Sequence, residues 1–278
     1  LAVSTKIEGG DSSAQMRGRL PAPVRGRSMT VGFKDECTAA VRDIVTTEFN
    51  TRVARVVPKT EDITQKDGAV YIEAAYLYAD MADSTGMARD FEATDAAKII
   101  RAYLHAVCRV LRDRGGAIRS FDGDRVMAIF TGDCAADDAV DAALRITWVV
   151  AEIVHAQLSF HNDAYWQQWN DNDWRVRHRT GIAIGQALIV RAGVRDNSDL
   201  VSIGDAPNIA AKLSDYKGGG TTIITDEVWD KLKYRNCYAV NSQSDNTEEL
   251  PMWSAPISKD IGGLYETIRT STWWRQYS

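Results

Sequence analysis

Residues 76–85 read Tyr-Leu-Tyr-Ala-Asp-Met-Ala-Asp-Ser-Thr, and residues 121–130 read Phe-Asp-Gly-Asp-Arg-Val-Met-Ala-Ile-Phe. In the first stretch, apolar residues run up to Asp80 and then give way to a small polar turn. Upstream, Val70, Ile72, Tyr76 and Tyr78 are spaced by two residues or multiples of two. The spacing predicts a strand over 69–80 with Asp80 at its end. In the second stretch, apolar arms at 117–121 and 126–130 flank Asp122-Gly123-Asp124, which predicts a β-hairpin with an acidic tip. Between the two, 86–114 carries Phe91, Ile99, Tyr103 and Val107 on a helical period and stops at Gly115-Gly116.

Working outward, Cys37, Val41, Ile44, Val45, Phe49 and Val53 predict a helix over 35–57. A long helix is expected at about 135–159, with the Trp-rich segment 160–173 as an extension. A strand or strand pair follows at 175–190, then a helix at 204–213, a strand at 221–225 and a short helix at 226–233. Residues 236–263 are polar and read as a loop insertion, and 264–268 as the last strand. The order is β-α-β-β-α-β with additions. That predicts an α+β fold: a ferredoxin-like core with an antiparallel-rich sheet, an N-terminal helix and a polar C-terminal insertion. Residues 1–28, rich in Arg, Gly, Pro and Ser, read as a leader or vector-derived segment. Residues 29–66 read as an N-terminal helical region and 67–270 as the main folded domain.

The 278 residues are 45% hydrophobic and 26% charged, enough to build a sizeable core. A net charge of −5 disfavours nucleic acid as a partner. The four cysteines form no C-x-x-C pair, so neither a zinc site nor a disulfide framework is expected. Scattered free thiols fit a reducing, cytoplasmic setting. No apolar run reaches membrane-spanning length. Trp148, Trp166, Trp169 and Trp174 read as core or dimer contacts, and the four histidines show no paired metal spacing. Asp137, Asp138 and Asp141 read as acids placed near a helix start.

Asp80 and Asp124 carry the chemical argument. In a βαββαβ sheet the first strand and the hairpin are neighbours, so both carboxylates are expected at one edge. Two carboxylates over a triphosphate suit Mn²⁺ or Mg²⁺, which take oxygen ligands and use substrate phosphates to complete their shell. The turn Ala82, Asp83, Ser84 and Thr85 offers backbone N–H groups and hydroxyls for phosphate. Each motif alone reads as an ordinary turn; together and in order they point to a site.

At these residues the sequence resembles the class III adenylate/guanylate-type nucleotidyl cyclases. Tyr78-Ala79-Asp80, Ser84-Thr85 and Gly123-Asp124-Arg-Val-Met127-Ala-Ile-Phe130 match the family's first two blocks. Gly204-Asp205-Ala-Pro-Asn208-Ile-Ala-Ala211-Lys212-Leu213 matches a third. The resemblance, over roughly 70–232, implies a homodimer with sites at the interface and two Mn²⁺ or Mg²⁺ ions per site. It implies Asp80, Asp124 and the backbone carbonyl of Met81 as metal ligands. Asn208 and Lys212 would come from the partner as the ribose-orienting and transition-state residues, Lys212 standing where most relatives have arginine.

The base-reading positions depart from the purine cyclases. Ser120 stands where adenylate cyclases carry lysine, and Val201 where its partner is often Asp or Thr. Tyr78 replaces a Phe, and Arg125 a small residue. A bulkier, polar wall favours a pyrimidine, and the set resembles the pyrimidine cyclases of bacterial Pycsar anti-phage systems. That resemblance implies conversion of UTP to 3′,5′-cyclic UMP and a product-activated effector protein. A cytidylate cyclase, a purine cyclase and a non-catalytic nucleotide-binding domain stay open as alternatives.

Overall fold

The computed structural model describes residues 32–194, 197–241 and 248–277. The segment read as a leader, 1–28, lies outside the described residues. The chain divides between Thr47 and Glu48. In the first unit, α1 spans Phe33–Thr46, and its apolar residues Phe33, Val41, Ile44 and Val45 are exposed. The helix expected over 35–57 therefore ends early. Asn50–Ala54 is instead a strand, β1, in the second unit. Thr51 and Val53 are β-branched and favour extended backbone, and β2 offers them a parallel partner.

In the second unit β2 spans Gly68–Met81, followed by α2 (Ser84–Asp90) and α3 (Ala93–Asp113). The single helix expected over 86–114 is thus two, separated by an extended Phe91 whose ring lies 5.0 Å from that of Trp174. The hairpin strands are β3 (Ala117–Asp122) and β4 (Arg125–Phe130). The long helix is α4 (Ala135–Trp148), a π-helical stretch Val149–Val154, and α5 (His155–His161). The Trp-rich segment is a separate helix, α6 (Asp163–Asn172), capped by Asn162, whose Oδ1 accepts from the Tyr165 N–H at 2.9 Å.

One long strand, β5 (His178–Val194), turns back into β6 (Asn197–Ile203), which the periodicity did not flag. Then come α7 (Asp205–Ser214), β7 (Thr222–Thr225), α8 (Asp226–Trp229), α9 (Tyr234–Cys237), β8 (Tyr238–Asn241), β9 (Glu248–Pro251), β10 (Ile257–Asp260) and β11 (Tyr265–Ser271). So 236–263 is no loop insertion: β8 and β9 pair as a small second sheet, and β10 extends the main one. Its polar composition hid strands that are largely exposed, β10 at all four of its residues.

The main sheet runs β10-β11-β7-β5-β2-β4-β3, with β1 on β2 and β6 on β5. It is mixed: β1–β2 and β5–β7 are parallel and the other pairs antiparallel. Its centre, β5-β2-β4-β3, is the order a βαββαβ unit makes. Strand β2 is buried on both faces. Ala75, Leu77, Ala79 and Met81 share a core with Ile99, Tyr103 and Val107 of α3 and Val140 and Leu144 of α4. Val70, Ile72, Ala74 and Tyr76 face the other core, with Ile209, Ala210 and Leu213 of α7.

The acids near the start of α4 do more than favour a helix terminus. Asp137 and Asp141 are only 1% and 4% exposed. Asp137 accepts from the Asn236 amide at 2.7 Å and the Arg235 guanidinium at 3.1 Å. Asp141 accepts from Arg114, Arg145 and Arg275, and Arg275 ties the C-terminal segment to α4. Burial raises the Asp141 pKa, but the hydrogen bonds from Arg145 and Arg275 outweigh it and hold the carboxylate below its ordinary value. Trp148 and Trp174 pack partly buried against the core, whereas Trp166 and Trp169 are exposed.

Asp141→Asn leaves three guanidinium groups facing a neutral amide. It is expected to lower unfolding free energy at pH 7 by about 3–5 kcal/mol, measured by urea denaturation. Because the folded pKa is depressed, Asp141 stabilises above its unfolded pKa. The gap between variant and parent should close as pH falls through the folded value.

Candidate functional site

Strand β2 delivers Asp80 to the end of the sheet centre. In register with β5, Asp80 faces Arg179, and on the other side Ala79 pairs with Val126, which brings Asp80 to the β3–β4 turn. Gly123 turns that hairpin with φ +63°, a left-handed conformation glycine takes without strain. Asp124 follows it. Its Oδ2 is buried and has no hydrogen-bond partner among the described residues. After Met81 the chain bends sharply: Asp83 takes φ +62°, and its carboxylate lies over Gly86, where a Cβ would stand 2.6 Å from Oδ1.

Asp80, Met81, Ala82, Asp83, Ser84 and Thr85 line one cavity of about 460 Å³. Arg179, Ser214, Asp215 and Lys217 complete its wall. Burial, the charge of Asp124 and then that of Asp215 push the Asp80 pKa up to about 7, against a smaller opposite pull from Arg125. Beneath the acids lies Tyr103 of α3, fully buried, its hydroxyl without a hydrogen-bond partner. Its pKa is raised well above 10, first by burial and then by Asp80 and Asp124.

This donor set fits a hard divalent cation. Two carboxylates repel each other, and one has a buried oxygen without a partner, so positive charge is what the arrangement lacks. No cluster of three His, Cys, Asp or Glu side chains that could hold a metal occurs among the described residues. Any further ligands would be backbone oxygen and substrate phosphate, as Mg²⁺ and Mn²⁺ accept.

Of the remaining predicted residues, Tyr78 and Arg125 are neighbours, with the guanidinium 5.7 Å from the ring centroid. Arg125 also reaches Asp122 at 2.8 Å and Asp215 at 3.5 Å. Ser120 is half-buried in β3, paired with Met127, and Val201 is exposed in β6, paired with Val190. Asn208 and Lys212 lie one turn apart on the exposed side of α7, and Lys212 Nζ donates to the Gly262 carbonyl at 2.7 Å. None of these six residues lines the Asp80 cavity of the same chain, and Asp124 lies beside that cavity and not in its lining. The periodicity missed Arg179 and Asp215. The only local signal for Arg179 was a cation opening a strand, and its place opposite Asp80 follows from strand register.

The site stores electrostatic strain, and the sign is testable. With a folded pKa of about 7 against an ordinary 3.8, ionised Asp80 disfavours the fold. Its stabilising contribution is complete below the unfolded pKa and lost as pH rises through about 7. Metal-free Asp80→Asn should therefore melt above the parent at pH 8, with the difference shrinking toward pH 5. A variant that melts below the parent at pH 8 would refute this.

Comparison with known proteins places this geometry. No family model matches the chain. It is 34% identical over 247 residues to a uridylate cyclase of Rhodovulum sp. (strain MB263), covering 88% of this chain and 98% of that protein. It is also 34% identical to uridylate cyclases of Xanthomonas perforans, over 88% of this chain and 99% of that one, and of Burkholderia cepacia, over 87% and 98%. Among solved structures, the guanylyl cyclase Cya2 superposes with a TM-score of 0.59 at 16% identity, covering 74% of this chain and 94% of that one. The adenylyl cyclase CyaB from P. aeruginosa gives 0.54 at 17%, covering 75% and 97%. With its two acids meeting at the end of β2 on a class III nucleotidyl cyclase fold, the chain belongs to the uridylate cyclase family.

Proposed function

We propose that this protein converts UTP to 3′,5′-cyclic UMP and pyrophosphate at the Asp80 cavity. The observation that carries the reading is the convergence of Asp80 and Asp124, with an unmatched carboxylate oxygen, beside a turn and two cations suited to a triphosphate. The 3′-hydroxyl oxygen bonds to the α-phosphorus, the bond from that phosphorus to the α–β bridging oxygen breaks so that pyrophosphate leaves, and the hydroxyl proton passes to solvent. Two Mn²⁺ or Mg²⁺ ions on Asp80, Asp124 and the Met81 carbonyl would supply the charge that makes the hydroxyl acidic and the pyrophosphate a better leaving group. The Ala82 N–H donates to the Arg177 carbonyl at 2.8 Å, so Asp83, Ser84 and Thr85 would hold the β- and γ-phosphates through N–H and hydroxyl donors. Arg179 and Lys217 face the same cavity as counter-charges.

Tyr78 and Arg125 form the base-proximal wall. Arg125 is held by Asp122 and Asp215, so it presents a fixed donor to a pyrimidine edge. Ser120 and Val201 would complete base selection, and Asn208 and Lys212, exposed on α7, would act at the site of a second copy. Exposed Val194, Val201 and Ile203 on the β5–β6 hairpin support a homodimer, since unpartnered apolar strand residues are what a subunit interface covers. No helix of the described residues is long and apolar enough to cross a membrane. We place the protein in the cytoplasm, its cyclic nucleotide acting on an effector protein in anti-phage defence.

Incubation with Mn²⁺ and each of UTP, CTP, ATP and GTP, with products identified by mass spectrometry, is expected to give cyclic UMP from UTP. Cyclic CMP alone would shift the reading to a cytidylate cyclase, and a purine product would sink the pocket argument. Asp80→Ala and Asp124→Ala should each abolish turnover while remaining folded by circular dichroism. Mixing Asp124→Ala with Lys212→Ala, both inactive alone, should restore activity if sites form between copies. Continued silence of the mixture would count against the shared site.

A further inference from the structure

A larger cavity of about 630 Å³ adjoins the Asp80 cavity and shares Ala82, Asp83, Arg179 and Lys217 with it. Its other walls are new. The π-helical stretch contributes Val150 and Ala151, α5 contributes His155, and the segment leading into β5 contributes Trp174, Arg175, Arg177 and His178. π-Helical turns are rare and concentrate at functional sites.

Three features of this cavity point to a ligand. First, Arg175, Arg177, Arg179 and Lys217 line it against the single carboxylate of Asp83. None of these four makes an ion pair or side-chain hydrogen bond among the described residues. Elsewhere in the protein arginines near buried acids are paired, as Arg114, Arg145 and Arg275 are with Asp141. Second, His178 is 6% exposed and its Nε2 has no hydrogen-bond partner. A buried ring nitrogen left unmatched calls for a partner. Third, the apolar part of the wall is held in place by its neighbours. The Tyr165 hydroxyl accepts from the Val176 N–H at 3.0 Å and lies 2.7 Å from His155 Nδ1. Trp174 is held between Phe91 and Tyr165, at 5.0 and 5.8 Å between ring centroids.

We propose that this cavity is a second ligand site, for a small molecule with a phosphate at one end and a planar body at the other. Guanidinium groups bind phosphate through paired N–H donors, and Arg175 and Arg177 are free to do so. The planar body lies against Trp174, Val150 and Ala151. The volume falls in the range of sites that enclose small molecules. Occupancy is felt at Ala82 and Asp83, which both cavities share, so the ligand regulates events at the Asp80 cavity. This site does not depend on the cyclase reading, because Trp174, Arg175 and Arg177 lie outside the Asp80 cavity.

The test is calorimetric titration of the full chain with UMP and, separately, inorganic pyrophosphate, in EDTA so that no metal-dependent binding or turnover contributes. UMP is expected to saturate the parent and Asp124→Asn alike. Arg175→Ser/Arg177→Ser removes two exposed side chains, and Ala151→Trp fills the cavity from an exposed position. Each is expected to weaken UMP by about tenfold or more while leaving circular dichroism and melting unchanged. Equal affinity in parent and both variants, or no saturable UMP binding, would overturn the proposal. So would saturation by pyrophosphate but not UMP, which would mark a site for the leaving group alone.

Discussion

The continuous pairing of β2 with β5, from Ala69 opposite Val190 to Met81 opposite His178, is the constraint on which the site depends. It sets Asp80 opposite Arg179, and the shorter pairing of β2 with β4 sets the same residue beside the turn that carries Asp124. A slip of one residue in either ladder would send Asp80 to the other face of the sheet. Apolar residues on both faces of β2 prevent the slip. Leu77 and Ala79 are fully buried on the helix side, and Ile72 and Tyr76 on the other.

The protein treats its buried and half-buried acids in two opposite ways. Asp141 is surrounded by three arginines and its pKa is depressed; it fastens α4 to α3 and to the C-terminal segment. Asp80 is set near Asp124 and Asp215, and its pKa is raised to about 7. The first environment is satisfied within the chain, and the second leaves Asp124 Oδ2 buried without a partner among the described residues. That contrast, within one molecule and one residue type, is why the proposal rests on Asp80 and not on Asp141. The same reasoning applies with reversed sign to the unpaired cations around Trp174.

Much of the fold was legible in local pattern. The strand ending at Asp80, the hairpin and α7 all announce themselves through periodicity and glycine placement. The misreadings share a cause. The 35–57 helix, the unbroken 86–114 helix and the 236–263 loop were judged on local composition, and each was decided by a distant partner. For 50–54 that partner was β2; for Phe91 it was Trp174; for 257–260 it was β11. Asp137 and Asp141 look like ordinary helix-start acids in sequence because Arg114, Arg235, Asn236 and Arg275 are far from them along the chain.

The sequence by itself determined the strand before the first aspartate and the hairpin that carries the second, because apolar period and glycine placement are local properties. Only the tertiary structure decided that Arg179 and Asp215 join them, and that Asn208, Lys212, Ser120 and Val201 lie outside the cavity of their own chain. It also decided that a second cavity opens behind Ala82 and Asp83. Those facts rest on strand register and on the close approach of segments remote in sequence. Both are fixed by burying two faces of one sheet at once, which no single stretch of residues encodes.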